Sequence, residues 1–118
     1  MTFCLKTIIT KPEKDIPINN AIILLHGYGG DGKDISVLAL NWKRFLTNTV
    51  FLCPDAHQRC LVNSNGFQWF DLTKEDPQYI LEESIKAEKK LDNLLVKLKK
   101  NLTYKTLRFV CVALVKDV

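Results

Sequence analysis

Read for apolar and polar positions, the chain separates into short runs with distinct periods. Ala21–Leu25 (AIILL) is apolar without alternation, the pattern of a strand covered on both faces in a parallel sheet. Before it, Phe3–Lys11 alternates loosely and carries Thr7, Ile8, Ile9 and Thr10, which predicts an outer strand, with Pro12 and Pro17 marking the loop that follows. Beyond a glycine-rich stretch, Asp34 is the expected N-cap of a helix that turns Ile35, Leu38, Trp42, Phe45 and Leu46 inward. Thr47–Ala56 (TNTVFLCPDA) predicts the next strand, stopped at Pro54. Residues 56–71 read as a long connection, with Asn63, Ser64, Asn65 and Gly66 as a turn and Trp69-Phe70 as an apolar anchor.

Asp76-Pro77 then opens the longest helix, because Asp caps free amides and Pro is tolerated in the first turn. Its apolar positions Leu81, Ile85, Leu91, Leu95, Leu98 and Leu102 fall near a 3.6-residue period and predict one buried stripe. TLRFVCVALV, rich in Val and Leu, predicts a last strand over 107–115. Strands alternating with helices place the chain in the α/β class, a mostly parallel sheet with flanking helices. At 118 residues, with 47% hydrophobic content and no repeat or linker, it is expected to form a single domain.

Charge changes this picture little. The net +4 comes mostly from the second helix, SIKAEKKLDNLLVKLKKNL, where lysines mix with glutamates as on a solvated face. Nucleic-acid binding is not expected, since no aromatics stand among those lysines; a lipid- or partner-surface helix is the alternative that this composition leaves. No apolar run has membrane-spanning length and the N-terminus lacks a signal-peptide pattern, so a cytoplasmic location is expected. Cys4, Cys53, Cys60 and Cys111 form no C-x-x-C pair and read as reduced thiols; no metal or cofactor is expected.

The candidate chemistry lies in LLHGYGGDGKD. Gly27, Gly29, Gly30 and Gly32 free backbone amides to face a negative charge, either a phosphate or the oxyanion of an attacked carbonyl. The phosphate patterns fail: Lys33 lacks P-loop spacing and is followed by Asp34, and no acidic residue closes a dinucleotide fingerprint. The oxyanion reading remains, and it needs a nucleophile. His26 invites assignment as a base, but no adjacent Ser or Cys stands to be activated. His57 with Asp55 suggests a dyad or metal pair, against a plain surface loop with no third ligand. Asp71 reads as a loop cap or ion-pair partner.

Together, LLHGYGGDGKD, CPDA and WFD, followed by a long helix and a strand, resemble the N-terminal half of the phospholipase/carboxylesterase and acyl-protein thioesterase group of α/β-hydrolases, from Ala21 to about Val112. The resemblance implies that Tyr28, the residue after His-Gly, donates its backbone N–H to an oxyanion hole. His26, Gly27, Gly29 and Gly30 would support that turn, and Trp69 and Phe70 would line an acyl groove for an ester or thioester substrate. It also implies a serine elbow, Gly-Phe-Ser-Gln-Gly, after the last strand, with the acid and base later still. No G-x-S-x-G occurs in the 118 residues. Residues 1–118 therefore read as one incomplete α/β-hydrolase domain that lacks its C-terminal strands and is inactive alone. Val112–Val118 (VALVKDV) can be encoded GTG-GCT-TTA-GTC-AAG-GAY-GTN, and one frame over the same bases give Gly-Phe-Ser-Gln-Gly, so a frameshift before the elbow is the expected cause. The alternative is a non-catalytic acyl-binding or lipid- or partner-surface module. Self-association is expected through the exposed edge of the last strand, at Val110, Val112 and Leu114.

Overall fold

Apolar runs without alternation find cover on both faces. The structure, a computed structural model, describes residues 5–71, 73–102 and 108–113, with residues 98–102 and 108–113 described by their backbone alone. In chain order the elements are β1 (Thr7–Thr10), β2 (Asn20–Leu25), α1 (Gly32–Trp42), β3 (Thr49–Pro54), β4 (Gln58–Arg59), β5 (Phe67–Gln68), α2 (Pro77–Leu102) and β6 (Arg108–Ala113). The main sheet has the order β1-β3-β2-β6. β2 runs parallel to both β3 and β6, and β1 closes one edge antiparallel to β3.

The side chains of β2 and β3 divide between two cores. Ala21, Ile23, Val50 and Leu52 pack with Leu94 of α2 on one face. Leu24, Phe51 and Cys53 pack with Ile35 and Ala39 of α1 on the other. The period of two thus sends alternate residues to opposite helices, which is why Ala21–Leu25 and Val50–Cys53 carry no polar residue. This is the α/β layering that the alternating elements predict.

Several expectations shift. The N-cap of α1 is Asp31, not Asp34: Asp31 has extended dihedrals and its carboxylate accepts from Asp34 N–H at 2.7 Å, so Asp34 sits in the first turn. α1 ends at Trp42, which leaves Phe45 78% exposed and Leu46 outward as well, contrary to their expected inward placement. On α2 the buried stripe is Ala87 and Leu94, flanked by the half-buried Leu91 and Leu95, while Leu81 and Ile85 are exposed. Leucines on two adjacent faces give the same period, and the covering contact, Leu94 on β2 and β3, is non-local. Leu98 and Leu102, Cys4 and Cys111 lie outside the described side chains. β1 is shorter than 3–11, β6 is described over Arg108–Ala113, and the connection 56–71 holds a small antiparallel hairpin, β4–β5.

Candidate active site

Parallel β2 and β6 end side by side, with Leu25 opposite Ala113, so the chain leaving β2 turns at the carboxyl end of the sheet. It turns through Gly27-Tyr28-Gly29-Gly30, closed by Gly30 N–H donating to Gly27 O at 3.1 Å. Gly29, third in the turn, has φ +80°, the type II pattern that only glycine adopts cheaply. Among the described residues, no hydrogen bond takes up the Tyr28 N–H.

His26 is 4% exposed and both ring nitrogens are engaged. Nε2 accepts from Ala56 N–H at 2.9 Å, so the proton of the neutral ring is on Nδ1, which donates to Gly27 O at 2.7 Å. A ring whose lone pair is occupied by a backbone amide serves as a strut and not as a general base. Trp69 stacks on it, with centroids 5.4 Å apart, and donates Nε1–H to His26 O at 3.0 Å. The expected acyl-groove pair is thus half-buried, and the Trp69 indole is fastened to the turn.

The β4–β5 hairpin clamps the other side. Gly29 N–H donates to Phe67 O at 2.9 Å, Phe67 N–H to Gly30 O at 2.8 Å, and Asn63 Nδ2 to Gly29 O at 2.8 Å. A Cβ on Gly66 would overlap the Gly29 carbonyl oxygen, which fixes glycine at that point of the hairpin. Asp55 closes the next step of the chain: its Oδ1 accepts from Gly32 N–H at 2.7 Å, tying the end of β3 to the positive N-terminus of α1. Gly32 in turn has no room for a Cβ against the Cys53 carbonyl.

Asp55 and His57 therefore do not form a dyad. His57 packs toward α2, where burial first and then the Lys90 and Lys86 cations push its pKa below the usual value, against the opposing Glu83. Both of its ring nitrogens are buried without a hydrogen bond. Among the described residues, no group of three or more His, Cys, Asp or Glu is placed to hold a metal ion. Asp71 caps its own loop, accepting from Thr73 N–H at 2.9 Å and Thr73 Oγ1–H at 2.6 Å, and these bonds hold its carboxyl below the ordinary range.

The Tyr28 hydroxyl is enclosed beside Cys60 and Asp71 without a well-formed hydrogen bond, and burial, then those neighbours, push its pKa up to about 12. The Tyr28 side chain thus points into the protein. The expected turn at Asn63–Gly66 is present, closed by Gly66 N–H donating to Asn63 O at 3.0 Å, while its hold on Gly29, the role of Ala56 and the Asp55 cap were not legible in the sequence. Ala56 and Asp55 act through contacts more than twenty residues away in the chain, which no local pattern signals.

Solved structures share the fold. Acyl-protein thioesterase 2 of Zea mays superposes with a TM-score of 0.56 at 21% identity, over 92% of this chain and 46% of that one. At that identity the likeness concerns the fold. Esterase PE8 superposes with a TM-score of 0.81 at 27% identity, over 92% of this chain and 51% of that one. The chain spans about half the length of each. Residues 7–108 match the phospholipase/carboxylesterase family of α/β-hydrolases, to which the chain therefore belongs.

Proposed function

We propose that this chain supplies the oxyanion side of a serine hydrolase for carboxylic esters or thioesters, with the Tyr28 N–H as one donor to the substrate's carbonyl oxygen. The unpaired Tyr28 N–H, on a turn held beside the end of β6, carries the reading. A serine placed just after β6 would lie next to that turn, and its attack on the carbonyl carbon would put negative charge where the amide points. Within the 118 residues no such serine follows β6, and oxyanion donors alone stabilise a step that cannot begin. On this reading these 118 residues alone give no turnover, and Val112–Val118 can be encoded so that the shifted frame reads Gly-Phe-Ser-Gln-Gly. Cys53 and Cys60, both buried free thiols, accord with a reducing, cytoplasmic setting.

The test is esterase turnover on a short-chain p-nitrophenyl ester. The 118-residue chain should give none that a serine-directed organophosphonate abolishes; labelling of Ser36, Ser64 or Ser84 together with such activity would overturn the reading. Restoring one G after the Val112 codon, with the downstream frame intact, should produce an inhibitor-sensitive esterase. In that protein Tyr28→Leu should keep most activity, whereas Tyr28→Pro, which removes the N–H, should lower kcat on the order of a hundredfold. Equal losses would remove Tyr28 N–H from the oxyanion hole and favour a non-catalytic acyl-binding module.

We further propose that the chain self-associates along β6. Among the described residues β6 pairs only with β2, so its other edge presents backbone donors and acceptors without a ladder partner. Size-exclusion chromatography should show concentration-dependent oligomers, and Lys at Val112 should reduce them. A monomer at all concentrations would refute this.

A further inference from the structure

The Tyr28 N–H and the Gly27 C=O belong to one peptide unit. Among the described residues every peptide bond is trans, so the N–H points opposite to the C=O, and whatever holds the Gly27 oxygen aims the Tyr28 hydrogen. Two donors hold it: Gly30 N–H, which closes the turn at 3.1 Å, and His26 Nδ1–H at the shorter 2.7 Å. The imidazole can donate there only in the Nδ1–H form, and Ala56 N–H on Nε2 selects that form. The ring's own place is fixed by the Trp69 stack and by Trp69 Nε1–H on His26 O.

We propose that His26 is a positioning residue that sets the direction of the Tyr28 N–H, acting through the Gly27 carbonyl, with Ala56 choosing its tautomer and Trp69 its orientation. The proposal rests on the oxyanion reading for its functional meaning, but its physical content is separate. A peptide already aimed needs no reorganisation when charge develops, and such preorganisation is where hydrogen-bond donors gain most of their catalytic effect. Peptide flipping about Tyr28 is the motion that His26 opposes. Gly27, which flanks this peptide, has no side chain to resist a flip, so the turn needs an external hold. The WFD tryptophan thereby acquires a role distinct from the acyl groove.

Nitrogen NMR of the 15N-labelled 118-residue chain tests this without reference to turnover, in solution or, for oligomeric material, on sedimented protein under magic-angle spinning. His26 should show a protonated Nδ1 and a bare Nε2. In His26→Leu, which keeps apolar bulk without a donor, the Tyr28 amide signal should move or split while the Gly32 and Asp34 amides of α1 stay in place. His26→Asn, whose amide N–H replaces Nδ1–H, should return the Tyr28 signal to its wild-type position. A Nε2–H tautomer, an unmoved Tyr28 amide in His26→Leu, or equal shifts in both variants would overturn the proposal. If His26→Leu does not fold, the wild-type tautomer and the His26→Asn amide position still decide. In the frame-restored enzyme His26→Leu should lower kcat by roughly tenfold to a hundredfold with KM little changed. Loss of the oxyanion role in the Tyr28→Pro experiment would leave the NMR result standing, so the two failures are distinguishable.

Discussion

The two histidines of the described chain occupy opposite circumstances. His26 lies under the glycine turn with both nitrogens bonded, one to Gly27 of that turn and one to Ala56 just after β3. His57 lies where the same loop meets α2, with neither nitrogen bonded and two lysines nearby. An imidazole with a fixed tautomer can aim a peptide. One without partners only resists acquiring charge. Polar satisfaction, more than burial, separates the residue that serves a site from the one that burdens the fold.

The sharpest way to test this division is to disturb each neighbourhood by packing alone. Leu94 is fully buried where α2 meets β2 and β3, so Leu94→Ala should cost about 2–5 kcal/mol in urea unfolding of the soluble chain, whereas Leu81→Ala, on the exposed face, should cost less than about 0.5 kcal/mol. Comparable losses would mean that the helix packs in another register. Around the turn, Gly66→Ala forces its Cβ onto the Gly29 carbonyl and should cost about 1–3 kcal/mol and shift the Gly29 and Phe67 amides. Gly30→Ala, whose Cβ would meet neighbours at 3.4–3.6 Å, should be milder.

The smallest effect is pH-linked and belongs to His57. Its folded pKa lies below the unfolded value of about 6.5, so the unfolded chain binds more protons in the interval between them. Its contribution to stability is complete above about pH 6.5 and is lost as pH falls through the folded-state pKa. His57→Leu, which removes the unpartnered nitrogens, should flatten that limb and change stability at pH 7.5 by less than about 1 kcal/mol. An unchanged acid limb in the variant would assign the titration elsewhere.

Much of the architecture was legible because it is written locally. An apolar pentapeptide without alternation announces a doubly covered strand, and four glycines within six residues announce a turn with amides to spare. Expectation and structure part where two local solutions are equivalent: Asp31 and Asp34 are both acidic residues at the start of α1, either able to cap it by sequence alone, and the leucines of α2 satisfy the helical period on two faces. The hairpin escaped because its strands are only two residues each. The bond from the Trp69 indole N–H to a carbonyl forty-three residues earlier has no local sequence signal. Sequence pattern carries what the chain does to its neighbours and little of what distant backbone does to a side chain.

The register of β2 also governs the order in which the sheet is built. Asn20 meets Thr49 on one side and Arg108 on the other, so the second pairing closes a loop about three times longer. Loop-closure entropy makes that later contact about 1 kcal/mol harder to nucleate, and the difference grows if α2 must form first. The unit β2–α1–β3, with β1 added from the N-terminal side, can therefore assemble while β6 is still free, and β6 joins last. Pulse-labelled hydrogen exchange during refolding should protect the Ile22 and Leu52 amides before those of Val110 and Val112. A strand that arrives last beside the glycine turn makes their junction a late product of folding, assembled only after the scaffold that must hold it already stands.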